Sequence, residues 1–225
     1  MIAFEFRFTR QKEHFMKRSA RFLFALATLV AVLPVAAYAH FHLMEPASAI
    51  VENERGDPQK AAPCGGSNVE KGTPTNAVTK VIGGSMLHVK VQEAVFHPGH
   101  YRVSLANSPD SLAADPEVQT KDSERGAWSV SATIQSPVKM PILADGLWPH
   151  TARPTGPYEA DIPLPNVNCA KCTLQVVQFM AEHAYNNPGG YSYHHCANLV
   201  ITADPKKPID KAWTTMLSAT VSAAR

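Results

Sequence analysis

The chain has almost no excess of charge: 21 Lys and Arg stand against 19 Asp and Glu, a formal net charge of +2. Several of the cations fall in the first 39 residues, so the remainder gives no electrostatic reason to bind nucleic acid or an anionic membrane. Internal repeats are missing, and so is any long amphipathic helix, which excludes solenoids and helical bundles. Long apolar runs are missing too. The stretch at 22–33 is too short to cross a bilayer. Cysteines number only four, too few for a small disulfide-dense scaffold.

The N-terminus has the order of a secretory signal peptide. Lys17 and Arg18 precede the apolar run, and Ala37-Tyr38-Ala39 places small residues at the first and third positions before His40. Cleavage is expected after Ala39, giving a secreted or periplasmic protein with no membrane span in its mature form. Met16 stands directly before the basic pair and reads as an alternative true start. Removing 39 of 225 residues leaves 186, the length of one ordinary domain. We expect that domain to occupy 40–204, with 205–225 as a weakly helical tail around Trp213. A monomer is expected.

All four cysteines, Cys64, Cys169, Cys172 and Cys196, follow the cleavage point. An even number in an oxidising compartment reads as two disulfides, for which three pairings exist. Cys169-x-x-Cys172 has the spacing of half a zinc site or a redox pair, but no second ligand pair and no thioredoxin-like strand and helix pattern accompany it. The preferred pairing joins Cys169 to Cys172 and Cys64 to Cys196.

What the chain does have is punctuation by proline and glycine between short stretches rich in β-branched and aromatic residues. Alternation is clear at 86–91, where Leu87, Val89 and Val91 share one face and Met86, His88 and Lys90 the other. Stretches 101–105, 130–134, 173–180 and 197–202 also have strand length and composition. The expected fold class is all-β: an antiparallel β-sandwich of immunoglobulin or fibronectin type III kind with long loops. The segments 107–125 and 146–165 read as two such loops, the second carrying Trp148, His150 and Tyr158, which could form a sugar platform or pack inward.

Nine of the ten histidines survive cleavage, and one of them, His40, becomes the first residue. Such a histidine offers two nitrogens, its imidazole and an α-amine whose ordinary pKa near 7.7–8.0 makes it easy to deprotonate in favour of a metal. A third nitrogen from another imidazole would complete a planar, three-nitrogen site suited to copper(II). A rival needs no fold: the amine, two backbone amides and the His42 imidazole can also chelate copper(II), unless His40 and Phe41 belong to a paired strand. Seven methionines form no Met-rich motif, which weakens a copper-trafficking reading.

Three segments together resemble one known family. They are His40 with Phe41-His42-Leu43-Met44-Glu45-Pro46 behind the cleavage site, Val95-Phe96-His97-Pro98-Gly99-His100-Tyr101-Arg102-Val103, and Tyr191-Ser192-Tyr193-His194-His195-Cys196-Ala197-Asn198-Leu199-Val200-Ile201. In this combination the chain is similar to the lytic polysaccharide monooxygenases and their relatives, which carry a copper histidine brace. The resemblance implies one copper ion per chain held by His40 and His97, with Tyr193, three residues before Cys196, as the weak axial group. Local sequence leaves His100 as the rival to His97. His183 and Gln178 are candidates to orient a ligand or a bound oxygen species from the second layer. The chain departs from the family's commoner pattern in His194 and His195, and in Tyr191 where a glutamine often stands.

The activity so implied is oxidative cleavage of glycosidic chains in chitin or cellulose, drawing on an external electron donor and on O2 or H2O2 as co-substrate. The alternative is a copper-binding or copper-handling protein that keeps the brace without oxidising polysaccharide. A metal-free secreted sandwich acting in adhesion or carbohydrate binding is a third reading.

Overall fold

Alternation at period two organises the described residues into ten strands. In the computed structural model, which describes residues 40–219, they are β1 His40–Glu45, β2 Val78–Ile82, β3 Met86–Val95, β4 Gly99–Ala106, β5 Val118–Ser123, β6 Gly126–Ala132, β7 Ile142–His150, β8 Tyr158–Pro163, β9 Cys169–Met180 and β10 Ser192–Thr202. The expected signal peptide, 1–39, lies outside the described residues. A helix, α1 (Lys211–Ala219), follows the last strand.

The strands form a three-stranded sheet in the order β1-β3-β8, a five-stranded sheet β2-β10-β9-β4-β7, and a separate β5-β6 hairpin. The two larger sheets pack as a β-sandwich, as expected. Phe41, Leu87, Val89 and Val91 from one meet Tyr101, Val103, Leu105, Leu174, Val176 and Leu199 from the other, all buried. One pairing breaks the antiparallel expectation: β2 runs parallel to β10, from Val78 opposite Asn198 to Ile82 opposite Thr202. Parallel neighbours need a long crossover, and most of the domain separates these two.

Both segments expected to be loops contain strands. The first holds β5, whose residues beyond Val118 are all exposed, so no apolar face marks it in the sequence. The second supplies the end of β7 and all of β8. Proline density hid an alternation in β8, where Ile162 is buried while Glu159 and Asp161 face outward to Lys90 and His88.

Cys64 bonds to Cys196, and Cys169 to Cys172. The first bridge ties the long β1–β2 connection to β10 across 132 residues. The described part of the tail, 205–219, is tied down as well. Asp210 caps α1 by accepting from the Trp213 amide at 3.2 Å, Asn166 donates to the carbonyls of Asp204, Lys207 and Pro208, and Leu217 joins the core.

On β4, Arg102 reaches Asp145 of β7 at 2.9 Å, with both side chains buried. The guanidinium also donates to the carbonyls of Ala114 and Thr133, while Asp145 accepts from the amides of Gln135 and Gly146. Removing one partner strands the other charge, which costs about 3–5 kcal/mol. Arg102→Ala is therefore expected to lower the unfolding free energy by that amount, read from the urea midpoint; a change under about 1 kcal/mol, the range of an exposed pair, would show that the pair is solvated.

Candidate metal centre

His40 opens β1, and the register slips between it and Phe41: His40 lies opposite Val95 but Phe41 opposite Glu93. A slip of this kind bends the strand and re-aims a side chain. The His40 ring is buried, and its Nε2 donates to Asp57 Oδ2 at 3.0 Å. That bond makes Nδ1 the basic nitrogen, the one that could chelate together with the His40 backbone nitrogen were cleavage after Ala39 to free it as an amine. The ring also lies against Tyr193 of β10, centroids 5.2 Å apart.

The β1–β2 connection clamps this strand end. Gln59, fully buried, accepts from the Phe41 amide at 3.1 Å, and its carbonyl accepts from the His194 amide at 2.8 Å. Gly56 takes φ +87°, and a Cβ there would lie 2.1 Å from the Phe41 carbonyl oxygen. Only glycine fits so close a crossing at that φ.

His97 sits in the turn between β3 and β4. The next two residues fix the turn: the Pro98 carbonyl accepts from the Ala181 amide at 2.8 Å, and a Cβ on Gly99 would meet the Phe179 carbonyl oxygen at 1.9 Å. His97 is buried and packs edge to face with His183, ring centroids 4.8 Å apart. Burial, reinforced by the charges that His183 and His40 would carry, brings the His97 pKa down to about 4. The ring is thus neutral at physiological pH, as a metal ligand must be. The His183 segment is held by Ser129, whose hydroxyl accepts from the His183 amide at 3.0 Å and donates to the Met180 carbonyl at 2.7 Å.

Four of the candidates, His40, His97, His183 and Tyr193, thus gather at one end of the sandwich. Others stand apart. Gln178 is the cross-strand partner of Tyr193, but its amide donates to Glu93 at 2.7 Å. His100 follows His97 by three residues and packs on Phe179, on the β4 face opposite Tyr101, beside Arg102 and Asp145. The His42 ring is engaged by Glu52 at 2.9 Å and the Glu54 carbonyl at 3.2 Å. His194 reaches Asp115, and His195 donates to the Phe41 carbonyl at 3.1 Å. Trp148, His150 and Tyr158 pack inward around Tyr101.

Sequence reasoning missed Asp57 and Glu93, and it weighed His150 only as part of a sugar platform or as an inward-packing residue, not as a partner of the metal centre. Asp57 sits in an irregular connection and leaves no pattern to read. Glu93 did leave one, because it is the charged residue on the inward register that begins Leu87, Val89, Val91. His150 joins Glu93 at 2.9 Å; burial pulls its pKa down, but Glu93 and the Trp148 and His97 carbonyls more than offset this, leaving it raised.

Among the described residues no group of three or more His, Cys, Asp or Glu side chains forms a metal-holding cluster. A brace needs only two imidazoles, its third nitrogen being the amine that cleavage after Ala39 would free. The side chains that could hold such an ion are a His40 ring with Nδ1 made basic by Asp57 and a His97 ring kept neutral by burial, two residues beyond the Val95 that His40 pairs with. No protein-family model matches the chain, and no curated protein matches it significantly.

His97 and His195, the latter brought down to about 3 by burial, stay neutral in the folded chain where an exposed histidine would titrate at 6.5. The unfolded chain therefore binds more protons below that pH. The contribution of these two rings to the stability of the metal-free protein is expected to be full above about pH 6.5 and to fall as the pH drops toward 4. Urea midpoints across that interval check this: His195→Gln should flatten the decline, and a midpoint independent of pH would show that these rings are solvated.

Proposed function

We propose that the mature chain, beginning at His40, is a copper protein of lytic polysaccharide monooxygenase type that oxidises chitin or cellulose. The observation that carries this reading is the register that sets His40, at the expected cleavage point, opposite Val95, two residues before His97. His40 would hold the ion through its freed amine and Nδ1, and His97 through its neutral imidazole. Copper so bound would supply one-electron chemistry toward O2 or H2O2, with electrons from an external reductant.

The other side chains have supporting tasks. Asp57 holds the His40 Nε2–H and so fixes which nitrogen is basic. Tyr193 lies along the His40 ring and limits access from its side. The rival chelate through His42 is disfavoured, because the Phe41 amide is committed to Gln59 and the His42 ring to Glu52. A second reading, copper binding without polysaccharide oxidation, draws on His183, a further imidazole packed on His97 that stands as another nitrogen near the site.

The test is copper(II) EPR on protein starting at His40, beside a His97→Ala variant and a form with one extra residue ahead of His40. An axial, nitrogen-rich spectrum, changed by His97→Ala and lost in tight-binding form with the extra residue, is expected. Release of oxidised oligosaccharides from chitin or cellulose, dependent on reductant, should follow. Binding indifferent to both changes would sink the brace, and a brace without oligosaccharide release would leave copper binding as the function.

A further inference from the structure

His97 lies between the last residue of β3, Val95, and the first of β4, Gly99. Its carbonyl accepts instead from a side chain: His150 Nε2 stands 2.8 Å from it and 2.9 Å from Glu93 Oε1. The other ring nitrogen of His150 donates to the Trp148 carbonyl at 2.7 Å. Glu93 Oε1 further accepts from the Tyr101 hydroxyl at 3.1 Å and from Gln178 Nε2 at 2.7 Å. Burial and Glu93 hold the Tyr101 phenol well above its usual pKa, so it remains a donor.

This network is an expensive way to fill a sandwich interior. Glu93 occupies an inward position that hydrophobic residues hold elsewhere on β3, and its Oε2, like Gln178 Oε1, is buried with no hydrogen-bond partner among the described residues. Well-packed apolar side chains would stabilise such a site as well or better. The backbone is also bent to build it, for Trp148, two residues before His150, takes φ 47°, a left-handed conformation that bulky residues avoid and that clusters at functional sites.

We propose that His150, held in place by Glu93, is a positioning residue for His97, fixing the β3–β4 turn from the interior so that the His97 imidazole is presented in one orientation. The proposal rests on His97 being a metal ligand. Second-layer partners of that kind characteristically alter metal affinity 10- to 100-fold.

The experiment uses the mature protein with His150→Ala and Glu93→Gln, and Arg102→Ala as a variant destabilised elsewhere. Copper(II) affinity, the copper(II) EPR spectrum and amide hydrogen exchange of the metal-free protein are measured. Both test variants should weaken copper roughly 10- to 100-fold, change the spectrum and speed exchange selectively at His97 and Gly99. Arg102→Ala should lower stability while leaving affinity and spectrum as they were. If the test variants match Arg102→Ala in affinity, spectrum and exchange pattern, the positioning role is overturned and the network is structural. If His97→Ala itself leaves the spectrum unchanged, the metal reading has failed, and selective exchange at the turn still decides whether His150 holds it. Should His150→Ala not fold, Glu93→Gln, nearly equal in volume, carries the same readouts.

Discussion

The seating of Phe41 governs what the rest of this structure can do. Its ring is fully buried, edge-on to Tyr101 at 5.3 Å and to His195 at 4.8 Å. Its backbone is held with equal firmness, the amide by Gln59 and the carbonyl by His195. Burying such a ring stabilises by about 1.5–3 kcal/mol, and the two backbone bonds remove the choice of register. With Phe41 fixed, the preceding residue has one place to go, and the slip opposite β3 sends the His40 ring to Asp57 and Tyr193.

The same economy explains why so much polar material lies inside. A sandwich of this size could close over hydrocarbon alone, yet Glu93, Gln178, His150 and the Tyr101 hydroxyl meet between the sheets. Buried polar groups are tolerated when hydrogen-bonded and are costly otherwise. Here one carboxylate oxygen collects the donors, and the network ends on the carbonyl of His97. Rigidity of the β3–β4 turn thus comes from three directions: β9 against Gly99, Ala181 on Pro98, and His150 on His97 itself.

Much of the fold was legible in the sequence because a half-buried strand writes its two faces into the residues. β3, β4, β9 and β10 were readable for that reason; the cysteine pairing was a preference among three, and the structure supplies it. β5 was not, since an exposed hairpin has no inward face to encode, and β8 was masked by its prolines despite Tyr158, Ala160 and Ile162 alternating with acids. The parallel placement of β2 beside β10 leaves no local mark at all, because it depends on where a long connection ends.

For the candidate site the division is similar. By itself the sequence determined that His40 follows an Ala-Tyr-Ala triplet, that His97 precedes a Pro-Gly pair, and that Tyr193 stands three residues before Cys196, because these are properties of local order along the chain. Only the tertiary structure decided that His40, His97, His183 and Tyr193 share one end of the sandwich, that Asp57 selects the nitrogen of His40, and that Glu93 and His150 reach the His97 carbonyl. Those choices depend on register slips, a glycine crossing and buried hydrogen bonds between residues dozens of positions apart, which no local pattern of residues can encode.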